Sequence, residues 1–370
     1  MNQGFIRTFF GNIKDPRAMN IRHNLIDIIT IAICSVICSA DTWQDISDYG
    51  ISKYDWFKEF LELPYGIPSP DTFARIFARI DPDEFRSSFI NWVKSISSIM
   101  DGKIIAIDGK TLRRSYDNSS DKSAIHMVSA WASQNGIVLG QVKTNEKSNE
   151  ITAIPELIKM LEISGCIVTI DAMGCQKNIA NLIIDNNADY LLTLKANQGN
   201  LYNDVRLYFE HHINTKNFEG VKYFATIDGD HGRIETRKHW VTSDIDWLPD
   251  KSLWHGIHTI AMVQRERDIN GKVSTENSFY ISSLTDDPFE FARTVRAHWG
   301  IENSLHWVLD ISFREDECRI RKNNAPENFV VLRHIAVNLI KQETSSKRGV
   351  KGKRLKAGWD NAYLRKILLP

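Results

Sequence analysis

The 370-residue chain has no net charge, with 46 Lys and Arg against 46 Asp and Glu. A chain-wide electrostatic pull toward nucleic acid or an anionic membrane is therefore excluded as an organising feature. The five cysteines, Cys34, Cys38, Cys166, Cys175 and Cys318, are odd in number and include no Cys-x-x-Cys pair. Neither a disulfide framework nor a cysteine zinc site is indicated, and a reducing, cytoplasmic setting is expected. No apolar run reaches the roughly 18 to 20 residues that span a bilayer. The stretch from Leu25 to Ala40 comes nearest, but it holds Asp27 and Thr30 and reads as a buried helix. No membrane partner is expected, nor a signal peptide, because the preceding residues include Phe9, Phe10 and Asp15 and lack a compact basic region. Repeats and low-complexity tracts are missing, which excludes solenoids. What remains is an ordinary globular composition, 42% hydrophobic and 25% charged, on a chain long enough for about two domains.

The neutral total hides an asymmetry. From Lys341 onward there are nine basic and two acidic residues, a segment charge of +7, so the rest of the chain carries −7. Residues 341–370 therefore read as a basic C-terminal tail, in which Lys351, Lys353 and Arg354 are candidates for sequence-independent phosphate contact; a solvated end is the alternative.

Residues 1–100 read as a helical N-terminal domain. Ser69-Pro70-Asp71 and Asp81-Pro82-Asp83 each supply an N-cap followed by a proline suited to the first helical turn. Such short capped helices suit either a helix-turn-helix reader of DNA ends or a small bundle, and Arg75, Arg79 and Arg86 make only a sparse basic face. Strand patterns begin at residue 103. Ile104 to Ile107, His126 to Ser133 and Gly136 to Thr144 read as three antiparallel strands, Glu150 to Ile163 as an amphipathic helix, Ile167 to Ile170 as a buried strand, and then a helix and a strand, Tyr190 to Leu194. The order βββαβαβ is that of a ribonuclease H-like α/β fold. A domain of this fold is placed at 101–340, with an inserted β subdomain at about 218–284 that contains an Asn270-Gly271 hairpin turn.

Asp108 and Asp171 each follow a four-residue strand pattern, Ile104-Ile105-Ala106-Ile107 and Ile167-Val168-Thr169-Ile170, which places both where a buried strand emerges at its carboxyl end. Two carboxylates on adjacent rigid strands make a hard-oxygen site suited to Mg²⁺, with Mn²⁺ as a substitute. Glu302, on a helix whose Ile301, Leu305, Val308 and Leu309 can pack on the sheet, supplies a third carboxylate for a second ion. Singly these residues have plainer readings, as a turn dipeptide, an N-cap and a solvated glutamate; together, on one framework, they point to metal-assisted chemistry. His298, Glu302 and His306 also share a helix face, but the His-Glu-x-x-His arrangement of zinc hydrolases is absent.

Ile107-Asp108-Gly109-Lys110, Ile170-Asp171-Ala172-Met173, Leu194-Lys195-Ala196-Asn197-Gln198, His231 to Arg237 and His298-Trp299-Gly300-Ile301-Glu302-Asn303 with Leu305-His306-Trp307 resemble the DDE transposases of bacterial insertion sequences, in the branch of H-repeat-associated proteins of Rhs elements. The resemblance covers essentially the whole chain. It implies an enzyme that cuts element ends and transfers strands to target DNA, with Asp108, Asp171 and Glu302 as catalytic metal ligands, double-stranded DNA as partner and a homo-oligomer assembled on it. Many relatives with a β insertion carry Tyr, Arg and Lys around the glutamate, where this chain has Val295, His298 and Leu309; Arg296 and His298 stay candidates for DNA contact. Lys110, with Arg113 and Arg114, flanks the first aspartate and suits phosphate binding. Arg233 and Arg237 alternate on one strand face, as a DNA-contacting ribbon or a cross-strand ion network would. A nuclease of the same fold without strand transfer, or a noncatalytic DNA-binding descendant, are the alternatives.

Overall fold

The computed structural model describes residues 4–19, 21–97, 103–116, 123–144, 150–230 and 233–369. The N-terminal part is helical: α1 (Gly4–Phe10), α2 (Leu25–Ile37), α3 (Trp43–Ser52), α4 (Tyr54–Lys58), α5 (Pro70–Phe77) and α6 (Pro82–Ile96). Local chemistry starts these helices. Thr42 and Asp45 form a reciprocal capping box at α3, while Ser69 and Asp81 accept from the Thr72 and Asp83 amides, each followed by proline.

The strands are β1 (Ile104–Thr111), β2 (His126–Ala132), β3 (Ile137–Lys143), β4 (Ile167–Ile170), β5 (Asp189–Leu194), β6 (Lys222–Asp230), β7 (Arg233–Thr242), β8 (Thr259–Ile269) and β9 (Lys272–Ser282). They form one sheet in the order β3-β2-β1-β4-β5-β9-β8-β7-β6. β1, β4 and β5 are mutually parallel and the remaining pairs antiparallel. Parallel neighbours require crossovers; these are α7 (Glu150–Met160), between β3 and β4, and α8 (Lys177–Asp185), between β4 and β5. The strand-rich stretch after α9 (Gly199–Thr215) extends this sheet, because β9 pairs with β5 from Leu191↔Ser282 to Leu194↔Phe279. Asn270 and Gly271 both have positive φ, 53° and 82°, as the tight β8–β9 turn requires.

The C-terminal part comprises α10 (Pro288–Ile301), a π turn at Glu302–His306, α11 (Trp307–Phe313), α12 (Ala325–Gln342), α13 (Val350–Trp359) and α14 (Asn361–Ile367). α12 is buried from Ala325 through Ile340 and packs against α2, buried from Asp27 through Ile37. Both helices are thus buried on every face, and their Ile, Val, Leu and Phe side chains supply the apolar area removed from water, with a minority of buried polar groups among them. α6 packs on β3 and α12 through Phe85, Phe89, Trp92 and Val93, and Trp43 stacks on Phe77 while meeting Phe329 edge-on. The apolar faces of α5 and α6 thus face the interior, and Arg86 pairs with Asp83 and Glu327.

The basic C-terminal segment differs from the expected tail. Lys353 and Arg354 are buried. The Lys353 ammonium donates to the Ile340 carbonyl at 3.2 Å and to that of Glu343. The Arg354 guanidinium donates to the Val36 carbonyl at 2.8 Å and to that of Ser312, and lies 3.8 Å from the centre of the Phe313 ring. These carbonyls lie in or just beyond the last turns of α2, α11 and α12, where acceptors have no intrahelical donor and the helix dipole is negative. Two of the three tail cations proposed for phosphate contact are therefore helix C-terminal ties; Lys351 is exposed.

Candidate active site

The β1–β4 pairing ends at Ile107↔Ile170, so the next residues, Asp108 and Asp171, leave the paired ladder side by side. One detail departs from expectation. β1 does not end at Asp108 but continues to Thr111, because β2 runs beside it and pairs Asp108 with Ser129. Asp108 is thus held on a strand and Asp171 just beyond one. Backbone amides orient both: Gly109 donates to Asp108 Oδ1 at 2.9 Å, and Met173 to Asp171 Oδ1 at 3.0 Å.

Glu302 opens the π turn and is 57% exposed. Asp108, Glu302 and His306 bring ligand atoms within 4.8 Å of one another, and Asp108, Glu150 and Asp171 do the same. Asp108 belongs to both clusters. Burial pushes its carboxyl up to about 7, with the charges of Asp171, Glu150 and Glu302 adding to the rise against the Gly109 hydrogen bond. Asp171 is raised as well, by burial and then by the Glu150 charge.

Glu150 and His126 are site residues that sequence reasoning missed. Glu150 begins α7, and its Oε1 lies 2.8 Å from His126 Nε2. A Cβ at position 109 would stand 2.3 Å from both of those atoms, so glycine is what allows the dyad to approach β1 beside Asp108. The available signal is the glycine that follows Asp108, which taken singly has the plainer reading of a turn dipeptide.

The remaining candidates separate. His298 is turned to Thr169, with Nδ1 3.0 Å from Oγ1, and burial lowers its pKa to about 4. It belongs to neither of the two acidic clusters. Lys110 is committed to Asp310 at 2.5 Å and Glu315 at 2.9 Å, and Glu315 also faces the buried Arg333. It is an internal tie and no free phosphate ligand. Arg237 pairs with Asp228 and, at 2.7 Å, with Glu235, which Arg265 also approaches at 3.3 Å. The β7 charges thus form a cross-strand ion network. His231, Gly232 and the Arg233 side chain lie outside the described residues. Arg296 is 65% exposed, 4.0 Å from Asp228.

The chain as a whole has relatives among known proteins. The Transposase DDE domain family matches residues 98–339, and the DDE_Tnp_1-associated family matches residues 7–93. The chain belongs to the DDE transposase family. It is 44% identical over 352 residues to the "Putative transposase YncI" of Escherichia coli O157:H7, covering 94% of this chain and 90% of that one. It is 42% identical over 355 residues to the "H repeat-associated putative transposase YhhI" of Escherichia coli strain K12, covering 94% and 93%. Among the described residues of this family member, no helix is long and apolar enough to cross a membrane.

Proposed function

We propose that the chain is a metal-dependent DNA transposase that cleaves the ends of an insertion-sequence-like element and joins them to target DNA. The observation that carries this reading is the sharing of Asp108 between two ligand clusters, one containing Asp171 and the other Glu302. The donor set fits hard divalent cations: burial, reinforced by the charges of Asp171, Glu150 and Glu302, raises Asp108 to about 7, and positive charge held between these carboxylates would offset both. Asp108, Asp171 and Glu302 would hold Mg²⁺, or Mn²⁺ in its place. Ions bound there would supply Lewis acidity to the attacking and leaving oxygens of an in-line displacement at phosphorus.

The chain's own contribution is position. Asp108 and Asp171 are spaced by the backbone ladder of β1 and β4, while Glu302 approaches from the helical side. One arrangement serves both hydrolysis at an element end and strand transfer, because each is a displacement at a phosphodiester. The strand order β3-β2-β1-β4-β5 with α7 and α8 as crossovers supports a ribonuclease H-like catalytic domain over 101–340, with the sequence from about 218 to 284 as its insertion. We assign the helical segment 1–100 to recognition of element ends, and Arg233, Arg296 and Lys351 to phosphate contact. The protein would act as a homo-oligomer on double-stranded DNA in the cytoplasm, a setting its free cysteines suit.

The test is a Mg²⁺-dependent nicking and joining assay on a plasmid carrying the DNA that flanks the gene. Cleavage and strand-transfer products are expected from the wild-type protein and neither from Asp171→Asn or Glu302→Gln. Cleavage without joining would mark a nuclease, and DNA binding without either a noncatalytic descendant; full activity in one of the acid variants would refute that residue's role.

A further inference from the structure

His306 is 3% exposed, whereas its neighbour Glu302 stands largely in solvent. The imidazole directs Nδ1 at two carboxylates, 3.0 Å from Glu302 Oε2 and 3.5 Å from Asp108 Oδ2. Its other nitrogen, Nε2, is buried and has no hydrogen-bond partner among the described residues. A neutral imidazole has one N–H to place. On Nε2 it would be a buried donor without an acceptor; on Nδ1 it meets the Glu302 carboxylate at bonding distance.

We propose that His306 is a positioning residue for Glu302: it donates Nδ1–H to Oε2 and so presents the other carboxylate oxygen toward Asp108. The inference rests on the metal reading above and extends it to a residue outside the three acids. The backbone is shaped for this contact. The Trp307 amide donates to the Glu302 carbonyl, the i to i+5 bond of a π turn, and this wider winding lies between Glu302 at its start and His306 at its end. A solvent-exposed glutamate otherwise samples several rotamers. Among the described residues, His306 supplies the only side-chain hydrogen bond to Glu302.

The experiment is an electron paramagnetic resonance titration of the full chain with Mn²⁺, comparing wild type, His306→Leu and His306→Asn, whose amide N–H sits near the place of Nδ1. Folding of each variant is followed by circular dichroism. Wild type is expected to bind two ions. His306→Leu should weaken one of them, the ion between Asp108 and Glu302, by roughly 10- to 100-fold, as loss of an orienting partner does, and should leave the other unchanged. His306→Asn should restore most of the lost affinity. Spin-echo spectra should show no nitrogen directly bound to Mn²⁺. Unchanged binding in folded His306→Leu would overturn the proposal, as would a loss that His306→Asn fails to restore, which marks a packing effect. A directly bound nitrogen would make His306 a ligand and overturn the positioning role alone. A wild-type protein that binds no Mn²⁺ would overturn the metal reading and this inference with it.

Discussion

Removing a carboxylate charge from the centre of the site should stabilise the metal-free protein. Asp108 ionises near 3.8 in an unfolded chain but near about 7 in the folded one, where burial and then its acidic neighbours oppose the charge. Between those two values the folded state keeps a proton that the unfolded state has lost. The contribution of Asp108 to stability is therefore greatest below about pH 4, falls as pH rises to 7, and is level above that. At ~1.4 kcal/mol per pKa unit, the difference is at most ~4 kcal/mol, and less if Glu150, Asp171 and Glu302 share the proton. An unfolding entropy of about 2.1 cal/mol/K per residue makes this worth about 3 to 5 °C in a chain of this length. Asp108→Asn keeps the volume and the acceptor for the Gly109 amide while deleting the charge. Calorimetry at pH 8 with EDTA should show the variant melting about 3 to 5 °C above wild type, a gap that closes near pH 4. Excess Mn²⁺ should raise wild type by mass action, by about 2.7 kcal/mol at 100 times Kd, and leave the variant nearly unmoved. An Asp108→Asn protein no more stable than wild type at pH 8 in EDTA would refute the view that burial and neighbouring carboxylates oppose the Asp108 charge, and with it the main physical reason for a cation at this site.

Three other outcomes follow from the packing. Gly109→Ala would drive a methyl into Glu150 and His126, each 2.3 Å from the new Cβ; it should displace the dyad and lower Mn²⁺ affinity, and wild-type affinity in this variant would show that the dyad does not shape the site. Arg354→Leu should cost about 1 to 3 kcal/mol in denaturant unfolding, since it removes the guanidinium donor from the Val36 and Ser312 carbonyls, whereas exposed Lys351→Gln should change stability by less than about 0.5 kcal/mol; a loss for Arg354→Leu no larger than that of Lys351→Gln would count against its capping role. Arg296→Gln should make the slope of log K against log salt for duplex binding shallower by about 0.9 if it contacts one phosphate, and an unchanged slope would assign it to the Asp228 pair alone.

Much of the architecture was legible because its determinants are local. Four apolar residues ahead of Asp108, and three with the β-branched Thr169 ahead of Asp171, mark buried strands, and Ser69-Pro70 and Asp81-Pro82 mark helix starts by their capping chemistry. The aspartates could be brought together from strand order, because parallel β1 and β4 put equivalent positions side by side.

Other features depended on contacts that no window of sequence contains. Lys353 and Arg354 have the composition of a solvated basic run, and only the docking of α13 under α2, α11 and α12 reveals that they satisfy helix carbonyls up to 318 positions away. Lys110 looked like a phosphate ligand beside a catalytic acid until Asp310 and Glu315, 200 and 205 positions on, enclosed it. Glu150 read as the first turn of an amphipathic helix, and the crossover from β3 to β4 is what carries it to Asp108. Hydrophobic run length and caps act over a few residues and so are written in the chain by itself; the partner of a charged side chain is set by which helices and strands come to lie beside it, and that only the tertiary structure decided.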